Sequence, residues 1–150
     1  IFDLDLGVVY KPATASAWQY GLAVKHVIGG DFTTLPNTPT AGAANTPDTI
    51  SLEPQLRAGV ARMTERSTLA LDLDLTENAG VTPSTNTQFL ALGAEYDLSF
   101  LQLRAGYRAN LATSDVSDAA TVGLGLGPVD LSAVLTDGSV GAYLQVGFGW

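Results

Sequence analysis

Residues 68–77 read Thr-Leu-Ala-Leu-Asp-Leu-Asp-Leu-Thr-Glu. Leu69, Leu71, Leu73 and Leu75 occupy every second position, with Ala70, Asp72 and Asp74 between them. On a helix these leucines would scatter around the axis. On a strand they share one face, because successive side chains point to opposite sides. Leucine is only a moderate strand former, so the strict alternation carries the assignment.

The same period runs outward in both directions. Before this segment it recurs over 1–11, 18–28 and 52–62, and after it over 89–96, 101–108, 122–126, 129–135 and 140–150. Leu101, Leu103, Ala105 and Tyr107, for example, oppose Gln102, Arg104, Gly106 and Arg108. Nine candidate strands result, each about ten residues long, and no helix. The strand length suits the ~9–11 tilted residues that cross a bilayer. The connections alternate short (12–17), long (29–51), short (63–67), long (78–88), short (97–100), long (109–119) and short (127–128), and only the last (136–139) breaks the order. Alternating short turns and long loops are the habit of outer-membrane barrels. Pro36, Pro39, Pro47 and Pro83 all fall in long connections, and Pro54 falls near a strand mouth.

Composition narrows the choice. The chain has 150 residues, with 7 Lys or Arg against 15 Asp or Glu, a formal charge of −8. Cysteine is absent, which excludes a disulfide scaffold, thiolate metal sites and a Cys nucleophile. The acidic balance argues against a nucleic-acid partner. Apolar residues make up 46% of the chain and charged ones only 15%, well short of the roughly 25% of soluble domains. No run of about 18 apolar residues exists for a transmembrane helix. The expected fold is therefore all-β: an antiparallel transmembrane β-barrel of the outer membrane, with its apolar face to lipid and its polar face to a lumen. A soluble β-sandwich or lipocalin-like binder, apolar face inward, is the competing reading. Bacterial barrels have even strand counts, and the first and ninth strands here run the same way. The expectation is thus the C-terminal part of a larger barrel, residues 1–150 forming one region. An open or curled nine-stranded sheet is the alternative.

Hairpin parity places polar residue against polar residue. Asp3 and Asp5 should lie near Lys25, Arg57 opposite Asp72 or Asp74, and Glu95 opposite Arg104 or Gln102, with Arg108 on the same face. Asp3-Leu4-Asp5 and Asp72-Leu73-Asp74 each put two carboxylates on one side of a strand. Such pairs can hold Ca²⁺, but a charge-paired lumen explains them more simply, and no metal or cofactor is expected. Gly123-x-Gly125-x-Gly127 lacks the lysine and helix of a phosphate loop and reads as close packing. His26, the lone histidine, has no nucleophile motif near it and reads as an interfacial residue at a strand's outer end. No catalytic residue is expected. Tyr10, Trp18, Tyr20, Tyr96, Phe148 and Trp150 gather at one set of strand ends, as an aromatic girdle would.

Two resemblances extend this reading. The ending Tyr143-Leu144-Gln145-Val146-Gly147-Phe148-Gly149-Trp150 resembles the C-terminal assembly signal of outer-membrane proteins. That resemblance implies recognition of Leu144, Val146, Phe148 and Trp150 by the barrel-assembly machinery. The segments Leu56–Ala61 (LRAGVA), Thr68–Asn78 (TLALDLDLTEN), Phe89–Tyr96 (FLALGAEY), Leu101–Leu111 (LQLRAGYRANL) and Val122–Pro128 (VGLGLGP) resemble the conjugal-transfer TraF family of outer-membrane type, from about residue 20 to 150. That family is similar in architecture to the fatty-acid transporter FadL and the PorV-type barrels. The resemblance implies a non-enzymatic channel for small or apolar solutes, or else an envelope anchor or partner of a conjugation or secretion apparatus.

Overall fold

The computed structural model describes residues 2–13, 17–33, 49–79, 85–113 and 115–147. The strands are β1 (Leu6–Tyr10), β2 (Trp18–Lys25), β3 (Gly30–Thr33), β4 (Thr49–Leu52), β5 (Gln55–Met63), β6 (Ser67–Asp74), β7 (Phe89–Asp97), β8 (Gln102–Asn110), β9 (Ala119–Leu126), β10 (Val129–Thr136) and β11 (Ser139–Val146). Nine of them form one antiparallel sheet in the order β1-β2-β5-β6-β7-β8-β9-β10-β11. The other two, β3 and β4, form a separate hairpin at the ends of the 29–51 connection, which the alternation treats as a plain loop. Sheet strands run to eight or nine residues and β1 to five, shorter than the ten expected. Single bonds beyond the strand ends, such as Val27 N–H to Leu4 O (3.0 Å) and Leu75 N–H to Leu56 O (2.7 Å), extend the ladders slightly.

The face assignment holds across every ladder of the sheet. Leu69, Leu71 and Leu73 pair with Arg62, Val60 and Ala58 on one side and with Ala94, Leu92 and Leu90 on the other. Leu103 pairs with Tyr96 and Leu124, and Leu131 pairs with Leu124 and Leu144. Each apolar position thus meets an apolar-face position, and each polar one a polar-face position, as a period of two demands.

This single layer has no ordinary core. Among the described residues the only buried hydrophobic is Ala119 and the only buried polar group is Asp74, and both lie on the polar face. Along β2 the apolar Trp18, Tyr20 and Leu22 are exposed, while Gln19, Gly21 and Ala23 between them are half-buried. β7 repeats the inversion, with Leu92, Ala94 and Tyr96 exposed and Gly93 and Glu95 less so. Soluble sheets show the opposite order.

The sheet is open. Its edges, β1 and β11, are not paired to each other, so barrel closure is not a property of this sheet. Tight turns join β9 to β10 at Gly127-Pro128 and β10 to β11 at Asp137-Gly138. Gly127 and Gly138 adopt φ of +57° and +80°, where a Cβ is disfavoured. Neither has another atom within 4 Å of an added Cβ, so the cost of substitution there is conformational alone. Gly138→Ala is expected to lower stability by about 1 kcal/mol. Gly93→Ala, also in open space but in a β strand, should be neutral or slightly stabilising. Urea midpoints of the two variants check the contrast.

Candidate functional site

The polar face gathers the charges. In the nine-stranded sheet, Lys25, Arg57, Asp72, Asp74, Glu95, Asp97, Arg104, Arg108 and Asp130 all share it. The apolar face carries one charge, Arg62, opposite Trp18 and Leu69 near the short-turn rim.

Two of the three expected cross-strand pairs form. Arg57 lies directly opposite Asp74 and donates from Nε at 2.6 Å. Asp74, 3% exposed, also accepts from the Phe89 N–H at 3.0 Å and from Asn78 Nδ2 at 3.4 Å. These donors offset the cost of burying the carboxylate. Asp72 sits opposite Gly59 and Ala91, and its carboxylate fills the space a Cβ at Gly59 would need.

Arg104 lies opposite Glu95 and binds it at 2.9 Å. It also reaches Asp130 at 2.7 Å and Gln102 at 2.6 Å. Asp130 belongs to β10, so the guanidinium crosses over β9 to reach it. Glycines make the crossing possible. Gly123 is opposite Arg104, where an added Cβ would stand 3.4 Å from the arginine Cβ. At Gly125 it would stand 3.0 Å from the Asp130 carboxylate and 3.2 Å from the Gln102 carbonyl. The Gly-x-Gly run is thus the floor of an ion-pair network, in keeping with the close-packing reading. The alternation does not foretell the Asp130 link, which spans two ladders at once. Arg108 stacks over the Phe89 ring, 4.3 Å from its centroid.

The third pair differs. Asp3 and Asp5 precede β1 and lie at the rim rather than within a strand. His26, not Lys25, meets Asp3: its Nδ1 contacts a carboxylate oxygen, and its backbone N–H donates to Asp5 at 3.1 Å. A left-handed backbone at His26 (φ 54°) turns the imidazole toward Asp3, and this conformation is what the alternation could not foretell. The histidine hydrogen bond holds the Asp3 carboxyl below the usual carboxylate range. The donor atoms of Asp3, Asp5 and His26 lie within 4.8 Å of one another, the one such trio among the described residues.

The long-loop rim is strongly acidic. Asp3, Asp5, Glu53, Glu77, Asp115, Asp118 and Asp137 lie there outside the strands, and Asp31 lies in β3, outside the nine-stranded sheet. A cavity of about 650 Å³ opens at this rim between Tyr107, Asn110, Asp115, Asp118 and Asp137. Asp118 accepts from the Tyr107 hydroxyl (2.6 Å) and the Asn110 N–H (2.8 Å), and these bonds hold its pKa below the ordinary aspartate value. Asn110 in turn accepts from Gln88 N–H at 2.9 Å and donates to Asn86 O at 3.3 Å, tying the neighbouring loops together.

At the opposite rim, Tyr10 and Tyr20 stack with ring centroids 6.4 Å apart, beside Trp18 and with Tyr96 farther along. Leu144 and Val146 lie on the apolar face of β11 and are exposed, whereas Phe148 and Trp150 lie outside the described residues.

Residues 1–74 match the model of a family described as F plasmid transfer operon, TraF, protein. The match takes in β1 to β6; it begins before the expected likeness over about 20–150 and ends at residue 74. Of the five segments carrying that resemblance, it includes Leu56–Ala61 and most of Thr68–Asn78 and stops before the rest. No curated protein and no solved structure matches the chain.

Two outcomes test this geometry. Asp74→Ala strands Arg57 and the Phe89 N–H and should cost about 1–3 kcal/mol, held to the lower half because Arg57 is half-exposed; denaturant unfolding reads it. The depressed Asp118 carboxyl contributes stability above its unfolded value near 3.9 and loses it as pH falls through the lower folded value. The Asn110 amide should therefore exchange slowly at neutral pH, after correction for intrinsic rate, and lose several-fold protection in acid. Asp118→Ala should lose it at every pH.

Proposed function

We propose that the protein is a non-enzymatic outer-membrane β-barrel component that admits small or apolar solutes, with its long-loop rim at the outer mouth. One observation carries the reading. The apolar face is exposed and holds a single charge near its rim, while the polar face is the more enclosed and holds the other nine sheet charges. In water that arrangement exposes a continuous face of large apolar side chains, which soluble monomers rarely present. In lipid it is the expected one. The tyrosines and Trp18 near the short-turn rim support the same placement.

A bilayer tolerates no open edge, since each unsatisfied backbone group there costs several kcal/mol. A membrane placement therefore requires partners for the edges β1 and β11. The acidic rim would favour cations over anions at the mouth. The TraF-type match over 1–74 favours a second reading, an envelope anchor or assembly partner of a conjugation apparatus. Such a protein would meet the same lipid and, as the terminal resemblance implies, the same barrel-assembly machinery.

The first test is phase separation in a cloud-point detergent. The chain should enter the detergent phase, and a folded monomer that stays in water would overturn the membrane reading. Liposomes then separate the two functions. A channel should conduct, with cation preference several-fold at low salt and weaker at high salt. An anchor should be silent and co-purify with a partner.

A further inference from the structure

The apolar face is not uniform. One cross-strand row runs Trp18, Arg62, Leu69, Ala94, Ala105, Val122, Ala133, Ala142 from β2 to β11. The rows beside it are bulkier: Leu71, Leu92 and Tyr107 on one side, Tyr96, Leu103, Leu124, Leu131 and Leu144 on the other. Large side chains flanking small ones leave a furrow across the strands. Two apolar cavities lie along it, of about 570 Å³ over Leu69, Ala94 and Ala105 and about 620 Å³ over Val122, Ala133 and Ala142.

The sole charge of this face stands in the same row. Arg62 lies in the row between Trp18 and Leu69, both of which line the first cavity, and so stands beside that lining rather than within it. It forms no ion pair among the described residues. A guanidinium on a lipid-facing surface is costly at mid-depth and tolerable near a headgroup. Arg62 is one residue from the end of β5, at the short-turn rim. A planar fork of donors beside an aromatic ring suits a phosphodiester. From Arg62 on β5 to Ala105 on β8 the furrow crosses three strand spacings, about 14 Å at ~4.8 Å each. That is within the reach of one leaflet's chains in a hydrocarbon core about 30 Å thick.

We infer that this furrow is a binding site for an anionic phospholipid, its headgroup phosphate on Arg62 beside Trp18 and one acyl chain along Leu69, Ala94 and Ala105. The inference rests on the membrane reading above and names the lipid that this face selects. The positive end of the furrow and its apolar floor together match a molecule with one charged end and one long apolar chain. A second copy of the protein would instead need a negative patch to meet Arg62, and within the sheet strands the apolar face carries no carboxylate among the described residues; Asp118 and Asp137 flank this face only at the opposite, long-loop rim.

The test uses the full chain in nanodiscs of phosphatidylcholine alone or mixed with phosphatidylglycerol, followed by native mass spectrometry of retained lipid. The wild type should keep phosphatidylglycerol several-fold over its share in the mixture. Arg62→Gln should enter phosphatidylcholine discs as well as the wild type yet lose that preference, and Arg62→Lys should recover part of it. Arg66→Gln, in the adjoining turn, should change nothing. Ala105→Phe, which fills the furrow, should reduce retention of both lipids. Unchanged preference in Arg62→Gln would overturn the site, as would a dimer that Ala105→Phe dissociates, since a second copy would then be the occupant. Failure of the wild type to enter phosphatidylcholine discs would instead count against the membrane reading itself.

Discussion

Everything in this protein depends on a sheet that satisfies its backbone laterally and leaves its apolar side chains uncovered. Burying a leucine fully is worth about 1.5–3 kcal/mol. Here Leu69, Leu92, Leu124, Leu131 and Leu144 remain 43–67% exposed, so much of that term is not realised within the chain. Ladder hydrogen bonds contribute only modestly net in water, because the unfolded chain bonds to water instead. In an apolar medium the balance reverses. Leaving a ladder bond unmade becomes expensive, and apolar side chains no longer need a protein partner. The same sheet is thus poorly stabilised in water and well suited to hydrocarbon.

The polar face obeys the complementary constraint. It must hold charges close together on one side of a layer, and it does so by pairing them across strands. Arg57 answers Asp74 over one ladder, and Arg104 answers Glu95 over the next hairpin and Asp130 beyond it. Such bridging needs low ground between the partners, which Gly123 and Gly125 provide. Glycine weakens a strand by itself. At Gly59, Gly123 and Gly125 that cost is offset by the room it leaves for long polar side chains to lie across the neighbouring backbone.

Much of this was legible in the chain before any coordinates. A period of two assigns the face of Asp72 or Leu73 without reference to anything distant. Short turns then fix which residues meet, which is why the Arg57–Asp74 and Glu95–Arg104 pairs follow from counting. Three features lay outside that logic. β3 and β4 are four-residue strands, too short for alternation to register. The His26–Asp3 contact depends on one left-handed residue. Asp130 reaches Arg104 diagonally across β9, past Gly123 and Gly125, a contact that no single hairpin register gives. Closure is of another kind again: periodicity reports which way side chains point and is silent on whether the first strand finds the last.

Strand direction constrains that closure. In an antiparallel meander of nine strands, β1 and β11 run the same way. Joining them directly would make a parallel seam in an otherwise antiparallel sheet. Two copies related by an axis along the barrel would meet β1 to β11 and make two such seams. Copies related by an axis across the strands would pair antiparallel and set one acidic loop rim at each end. An odd number of additional strands between the edges removes the difficulty. It keeps every neighbour antiparallel and brings the total to an even count. The open edges therefore ask for strands of definite parity and direction, a stricter demand than simply being covered.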